Sequence, residues 1–215
     1  IQEALYNGNF YQEPRTIRTT GQPDSRPSEP GRDEDMDELE ISYMSAGDLS
    51  RLVSKKEVSP VEIVDAHLSR IQATEPVLNS FITLMAEEAR GSARQAEREI
   101  QAGKYRGPLH GIPVGLKDLY NTRGVRTTSG SRIFDNFVPA EDCTVAVRFR
   151  EAGAILLGKL NMHQFALGPT GENPDYGHMH NPWNPEMVSG GSSGGSGSAV
   201  AAGQCTIATG SDTGG

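Results

Sequence analysis

The sequence predicts an α/β sandwich, and three observations carry the prediction. Short apolar runs that read as buried strands, Ile112-Pro-Val-Gly-Leu116, Ala154-Ile-Leu-Leu157 and Thr206-Ile-Ala-Thr209, alternate with stretches of helical periodicity. Helix punctuation is explicit: Ser59-Pro60-Val61-Glu62 combines an N-cap serine, a proline at the first helical position and a glutamate placed to close a capping box. The third observation is size, since 215 residues with 35% hydrophobic and 22% charged side chains are enough for a sizeable core.

The beginning of the chain departs from this pattern. Residues 1–40 hold four Arg against ten Asp or Glu and contribute −6 of the overall −8. With Pro14, Pro23, Pro27 and Pro30 and almost no apolar periodicity, this stretch reads as a disordered acidic tail, with a docking arm as the less favoured alternative. The folded domain is therefore drawn over residues 41–215. This near-neutral remainder has no basic stripe with interleaved aromatics, so direct nucleic-acid binding is not expected. No apolar run approaches the roughly 18 residues of a membrane span, and residues 1–30 lack a basic segment followed by an apolar one, so a soluble, cytoplasmic protein without a membrane association is expected. Cys143 and Cys205 are isolated and read as reduced thiols rather than a disulfide or zinc pair. A chain that starts at Ile1 and stops at Gly215 inside a glycine-rich motif reads as a fragment.

In chain order, the first helix is expected near Ser45, where an N-cap side chain with an acid three residues on precedes Leu49, Leu52 and Val53. The second follows Ser59, with Val61, Val64, Leu68 and Ile71 recurring at helical spacing. His67 lies off that stripe and is expected at the surface or its boundary. A third helix spans Met85 to Ala102, its face made by Ala86, Ala89, Ala93, Ala96 and Ile100, with Gly103 as the C-cap. After Gly107-Pro108 comes the strand ending at Lys117. A helix over Thr144–Ala152, a strand over 154–157, a helix over Ala199–Ala202 and a strand over 206–209 complete the alternation.

Three features can carry chemistry: Lys117 at a strand end, the run Ser189-Gly-Gly-Ser-Ser-Gly-Gly-Ser-Gly-Ser198, and Gly210-Ser-Asp-Thr-Gly-Gly215. By composition the first is ordinarily a solvent-facing lysine and the second a flexible linker. The run is bounded by Asn181-Pro-Trp-Asn-Pro185 and by a compact Ala/Val segment, which fits a loop entering a helix N-terminus better. It contains no Gly-Lys-Ser/Thr and no G-x-G-x-x-G, which excludes both phosphate-binding fingerprints. Two overlapping G-x-S-x-G matches, at Ser192 and Ser193, suggest a nucleophile elbow, but no His follows His180 to complete a Ser-Asp-His set. A lysine base asks for less. Burial disfavours its charged form, and Ile112, Val114 and Leu116 supply apolar surroundings. Asp118 would oppose that shift if it faced Lys117, yet neighbours in a strand point to opposite sides.

These motifs together, His110-Gly-Ile-Pro-Val-Gly-Leu-Lys-Asp118, Gly153-Ala-Ile-Leu-Leu-Gly-Lys-Leu-Asn-Met162, Asn181-Pro-Trp183, the Ser189–Ser198 run and Gly210–Gly215, resemble the amidase signature family over residues 42–215. The resemblance implies an α/β/α sandwich around a mixed central sheet, of which this chain would be the N-terminal portion. It also implies a Ser-cisSer-Lys triad, with Lys117 as base, Ser192 as the proton-relaying serine behind a cis peptide bond, and a nucleophilic serine at position 216. Backbone amides of Thr213, Gly214 and Gly215 would form the oxyanion hole, Asp212 would brace that loop, and Ser193 would add a supporting hydrogen bond.

The implied reaction is hydrolysis of carboxylic amides through an acyl-enzyme, with a small-molecule amide as substrate and no cofactor or metal. The chain alone would be inactive without its nucleophile. The pair His178 and His180, near Glu172 and Asp175, is read as loop structure rather than a metal site, and His163 as packing or substrate contact. Two alternatives stay open: the glutamine-hydrolysing A subunit of a tRNA-dependent amidotransferase, and a truncated or degenerate relative acting as an interaction module. The stretch Thr170–Gly177 is slightly nearer to general amidases. A homodimer, or partner subunits in the amidotransferase case, are the assemblies left open.

Overall fold

The structure, a computed structural model, describes residues 37–214. Three helices open it, each started by a side chain that accepts an otherwise unpaired backbone N–H. Asp37 caps α1 (Glu38–Tyr43), Ser45 caps α2 (Ala46–Lys55), and Ser59 caps α3 (Pro60–Leu78) through the complete capping box with Glu62. The first of these helices already takes in Glu38 to Glu40, within the stretch drawn from the sequence as tail. Ile41 and Ser42 are buried, and the Ser42 hydroxyl reaches Ala66 O in α3 at 3.4 Å, so this short acidic helix is held by packing. The rest of the tail falls outside the described residues.

Strand β1 (Phe81–Leu84) and helix α4 (Ala86–Gln101) follow, then β2 (Pro113–Lys117), α5 (Thr144–Glu151), β3 (Ile155–Leu160), the hairpin β4 (His180–Asn181) with β5 (Asn184–Val188), α6 (Gly194–Ala201) and β6 (Ile207–Ala208). The main sheet has the order β1-β3-β2-β6. Its β2 runs parallel to β3 and β6, while β1 is antiparallel to β3, which makes the sheet mixed. One face packs Ile155, Leu157 and Leu160 with Val64, Leu68 and Ile71 of α3, Ala89 and Ala93 of α4, and Ala199 of α6. The other packs Val114, Leu116 and Leu156 with Ala146 of α5. Helices thus cover both faces, the α/β/α layering that the strand-helix alternation predicts.

A register irregularity in the β2–β3 pair decides where functional groups emerge. Val114 pairs with Leu156, but Gly115 pairs with Gly158, so one residue of β3 is passed over and Lys159 and Leu160 come opposite Leu116 and Lys117. Gly115 permits the close approach, since a Cβ there would meet Leu160 Cδ1 at 2.6 Å. Among the described residues no helix is long and apolar enough to cross a membrane.

His67 corrects the surface assignment. It is fully buried, with Nδ1 2.9 Å from Gly203 O and Nε2 2.9 Å from Thr206 Oγ1, and so ties α3 to the segment between α6 and β6. Polar partners at both ring nitrogens, not an apolar stripe, hold it inside. Burial pushes its pKa down to about 4, with the Gly203 carbonyl opposing. The unfolded chain therefore binds a proton near pH 6.5 that the folded one refuses until about pH 4. Stability should fall by on the order of 2–3 kcal/mol from this group between those values. His67→Gln should flatten the dependence of urea-unfolding stability on pH over this window, and an unchanged slope would contradict the assignment.

Candidate active site

Lys117 is delivered by the last position of β2. Its backbone N–H donates to Thr209 Oγ1 at 2.9 Å and its carbonyl accepts the Tyr120 N–H at 3.0 Å, which fixes the strand end on both sides. The side chain is fully buried. Its Nζ donates to Ser192 Oγ at 2.7 Å and to Ser211 Oγ at 2.8 Å, so two of three ammonium protons meet hydroxyls from two different glycine-rich segments.

Ser192 lies just ahead of α6, and the Gly191–Ser192 peptide bond is cis. The glycines around it serve close approach rather than flexibility. A Cβ at Gly191 would lie 2.6 Å from Gly168 O and 2.8 Å from Gly171 N, and one at Gly195 would lie 2.5 Å from Ser80 O. These obstacles are backbone atoms that cannot swing aside. The Ser192 carbonyl in turn accepts the His163 N–H at 3.0 Å. The run is a packed loop entering a helix, and the linker reading of its composition does not hold.

Ser193 joins the two serine-bearing segments. Its Oγ accepts the Ser211 N–H at 3.1 Å and donates to Ser211 O at 3.3 Å. From the other side the Tyr120 hydroxyl donates to Gly210 O at 2.9 Å, and the Ser196 hydroxyl donates to Thr209 O at 2.7 Å. Ser211 is therefore held from several directions with its hydroxyl against the amine. Sequence reasoning gave it no role, although it sits inside the Gly210–Gly215 motif. A serine there carries no distinguishing signal until the fold brings it to Lys117.

The remaining loop residues are more exposed. Asp212 Oδ1 accepts the Gly214 N–H at 2.9 Å, and the Thr213 hydroxyl donates to Ala166 O at 3.0 Å. Asp212 thus folds the loop back on itself, holding one of the amides expected in an oxyanion hole; Gly215 lies outside the described residues. His178 and His180 are taken up by the loop: His178 Nδ1 accepts the Asn173 N–H at 3.0 Å, and His180 Nδ1 lies 2.7 Å from Pro185 O. Among the described residues no group of three or more His, Cys, Asp or Glu is placed to hold a metal ion.

Burial dominates the electrostatics of Lys117. It lowers the amine's pKa from 10.5 to about 8, against the opposing pull of the Asp212 carboxylate. At that value roughly a tenth of the amine is neutral at pH 7, compared with about three in ten thousand for an ordinary lysine. An amine that is neutral this often, hydrogen-bonded to two hydroxyls, can accept and return a proton.

Comparison with known proteins gives the family. Residues 62–215 match the family model described as Amidase. The chain belongs to the amidase signature family. It is 46% identical over 177 residues to the A subunit of the glutamyl-tRNA(Gln) amidotransferase of Geobacter metallireducens, covering 82% of this chain and 36% of that protein. Among solved structures, a peptide amidase from Stenotrophomonas maltophilia superposes with a TM-score of 0.73 at 34% identity, over 77% of this chain and 35% of the other. A protein described with a vestigial complex and the origins of an s-triazine catabolic enzyme gives 0.77 at 37%, over 79% and 37%. The chain spans about a third of the length of these amidase signature relatives.

Because the Asp212 carboxylate raises the Lys117 pKa, Asp212→Asn should move it further down. Side-chain NMR titration of Lys117 should show a midpoint near 8 in the parent and a lower one in the variant; an unshifted or higher midpoint would refute the assignment.

Proposed function

We propose that this chain supplies the proton-handling half of a carboxylic amide hydrolase site, with Lys117 as base and Ser192 as relay. The observation that carries the reading is the buried Lys117 amine at 2.7 Å from Ser192 Oγ. The neutral amine takes the Ser192 proton while Ser192 takes one from the nucleophilic hydroxyl, which we assign to a serine directly after Gly215. The nucleophile attacks the amide carbonyl, and the departing amine or ammonia receives the proton back through Ser192. Water then enters by the same relay to release the acid from the acyl-enzyme.

Charge that develops on the carbonyl oxygen is assigned to the backbone amides of Thr213, Gly214 and Gly215, with Gly214 exchanging its bond to Asp212 for one to the oxyanion. Ser193 contributes by holding Ser211 in place. In this reading the family's domain takes in the chain from Glu38 onward and continues past Gly215.

A second reading within the same chemistry has its own support. Curated relatives at 43% to 50% identity are A subunits of glutamyl-tRNA(Gln) amidotransferases. On that reading the amide is glutamine, the leaving group is ammonia, and partner subunits receive it. Co-purification of partners together with glutaminase activity favours the amidotransferase; turnover of diverse amides by the isolated protein favours the general amidase.

In the longer protein that carries this chain, Lys117→Ala and Ser192→Ala should each lower kcat/KM for amide hydrolysis by about 10²–10⁴-fold. The parent's kcat/KM should rise with pH through about 8, the midpoint of the Lys117 amine. Ser211→Ala should cost less, about tenfold, since Ser192 still meets the amine. Wild-type rates in Lys117→Ala would remove the proposed base, and a Ser211→Ala loss as deep as that of Ser192→Ala would move Ser211 into the proton path.

A further inference from the structure

Lys159 is buried as deeply as Lys117, and the mechanism above does not use it. It extends from β3 opposite Leu116, on the sheet face that meets α5. Its ammonium lies 3.2 Å from Asp118 Oδ1 and donates to Thr127 Oγ1 at 2.6 Å and to Tyr120 O at 2.9 Å. Asp118 is equally inaccessible. Its Oδ2 accepts the Thr128 N–H at 2.8 Å and the Thr128 hydroxyl at 2.5 Å, while Oδ1 makes no hydrogen bond among the described residues and depends on the Lys159 ammonium.

A buried ion pair is a poor source of stability, because removing two charges from water costs as much as their attraction returns. Its position on the chain is the informative feature. Asp118 directly follows Lys117 and points to the opposite face of the sheet. Its backbone N–H donates to Leu160 O at 3.0 Å and its carbonyl accepts the Ser129 N–H at 3.0 Å. Lys159 also grips Tyr120 O, and Tyr120 in turn supports both the Lys117 carbonyl and Gly210 O. Through Tyr120 and the Asp118 backbone, the pair therefore reaches the main chain that flanks the Lys117 amine and its Ser211 partner.

We propose that the buried Lys159–Asp118 pair is a positioning device for Lys117, in which Lys159 holds the end of β2 and cancels a carboxylate charge one residue from the amine. The inference rests on Lys117 being the proton acceptor proposed above. Without Lys159, any charge left on Asp118 would act on the Lys117 amine from the other face of the sheet and favour its protonated form. Without Asp118, the unbalanced Lys159 cation would act in the opposite sense. Among the described residues, the other charged or ionisable groups that act on these two amines are Asp212 on the loop beyond β6, which acts on Lys117, and Cys143 at the start of α5, which acts on Lys159. Burial lowers the Lys159 pKa and raises that of Asp118, and each is partly restored by the other's charge.

The test uses the longer protein carrying this chain, an acyl p-nitroanilide as substrate, and the variants Lys159→Met, Asp118→Asn and their combination. Two readouts are taken: the pH profile of kcat/KM, and the Lys117 side-chain titration by NMR, which does not depend on turnover. Lys159→Met should raise the Lys117 midpoint by about one unit, so that about tenfold of kcat/KM lost at pH 7 is regained at high pH. Asp118→Asn should lower it, and the double variant should return it to near the parent value. If Lys159→Met does not fold, the opposite shift in Asp118→Asn and its reversal in the double variant decide the matter. Rates depressed by one factor at every pH, with unmoved Lys117 midpoints, would reduce the pair to a structural role and overturn the proposal. Full activity in Lys117→Ala would instead defeat the proposed base while leaving the NMR titration to judge the pair.

Discussion

An ammonium group out of reach of water is the constraint around which this molecule is arranged. Lys117 is sealed between the sheet and the Gly/Ser loop, and its two side-chain partners are neutral hydroxyls rather than a carboxylate. Hydroxyls compensate a buried charge incompletely, so the amine is held near the point of losing its proton. The same surroundings stabilise the neutral form and offer it a proton donor. A salt bridge in that place would have kept the lysine charged and inert.

Holding such a group requires rigid supports, and the fold supplies them from backbone. The skipped residue in β3 brings Lys159 and Leu160 to the level of Leu116 and Lys117. Glycines 115, 191 and 195 remove side chains where strands and loops must touch. Ser193, Ser196 and Tyr120 then bond to main-chain atoms of residues 209–211, so Ser211 is placed by hydrogen bonds that do not involve its own side chain. The two lysines at the ends of the central strands face opposite ways and meet different chemistry: one is left with hydroxyls, the other with a carboxylate.

Much of this was legible in the sequence, for definite reasons. The strand ending at Lys117 and the strand following Gly153 are continuous apolar runs, the mark of strands buried on both faces, and the capping box at Ser59 marks its helix without ambiguity. Lys117 and Ser192 could be paired because their motifs, taken together and in order, resemble those of the amidase signature family. The hairpin at 180–188 gave no signal, since its second strand is mostly exposed and contains Pro185. Strand β1 has only four residues, with a single buried end, too few for period-two alternation to register. Helix α6 starts at Gly194, inside glycine-rich sequence that disfavours helix, and is held there by the burial of Gly194, Gly195, Ser196, Ser198 and Ala199. Ser211, His67 and the Lys159–Asp118 pair stayed hidden because their significance lies in partners remote along the chain.

That remoteness has a consequence for when the chemistry can exist. The Lys117 amine finds its two hydroxyls 75 and 94 residues further on. Closing loops of this length is entropically unfavourable until the intervening strands and helices have docked. During synthesis the lysine leaves the ribosome long before either serine, and for that interval it is an ordinary solvated cation with an ordinary affinity for protons. Proton-accepting power is thus not a property that the growing chain carries with it; it is switched on by segments that arrive much later.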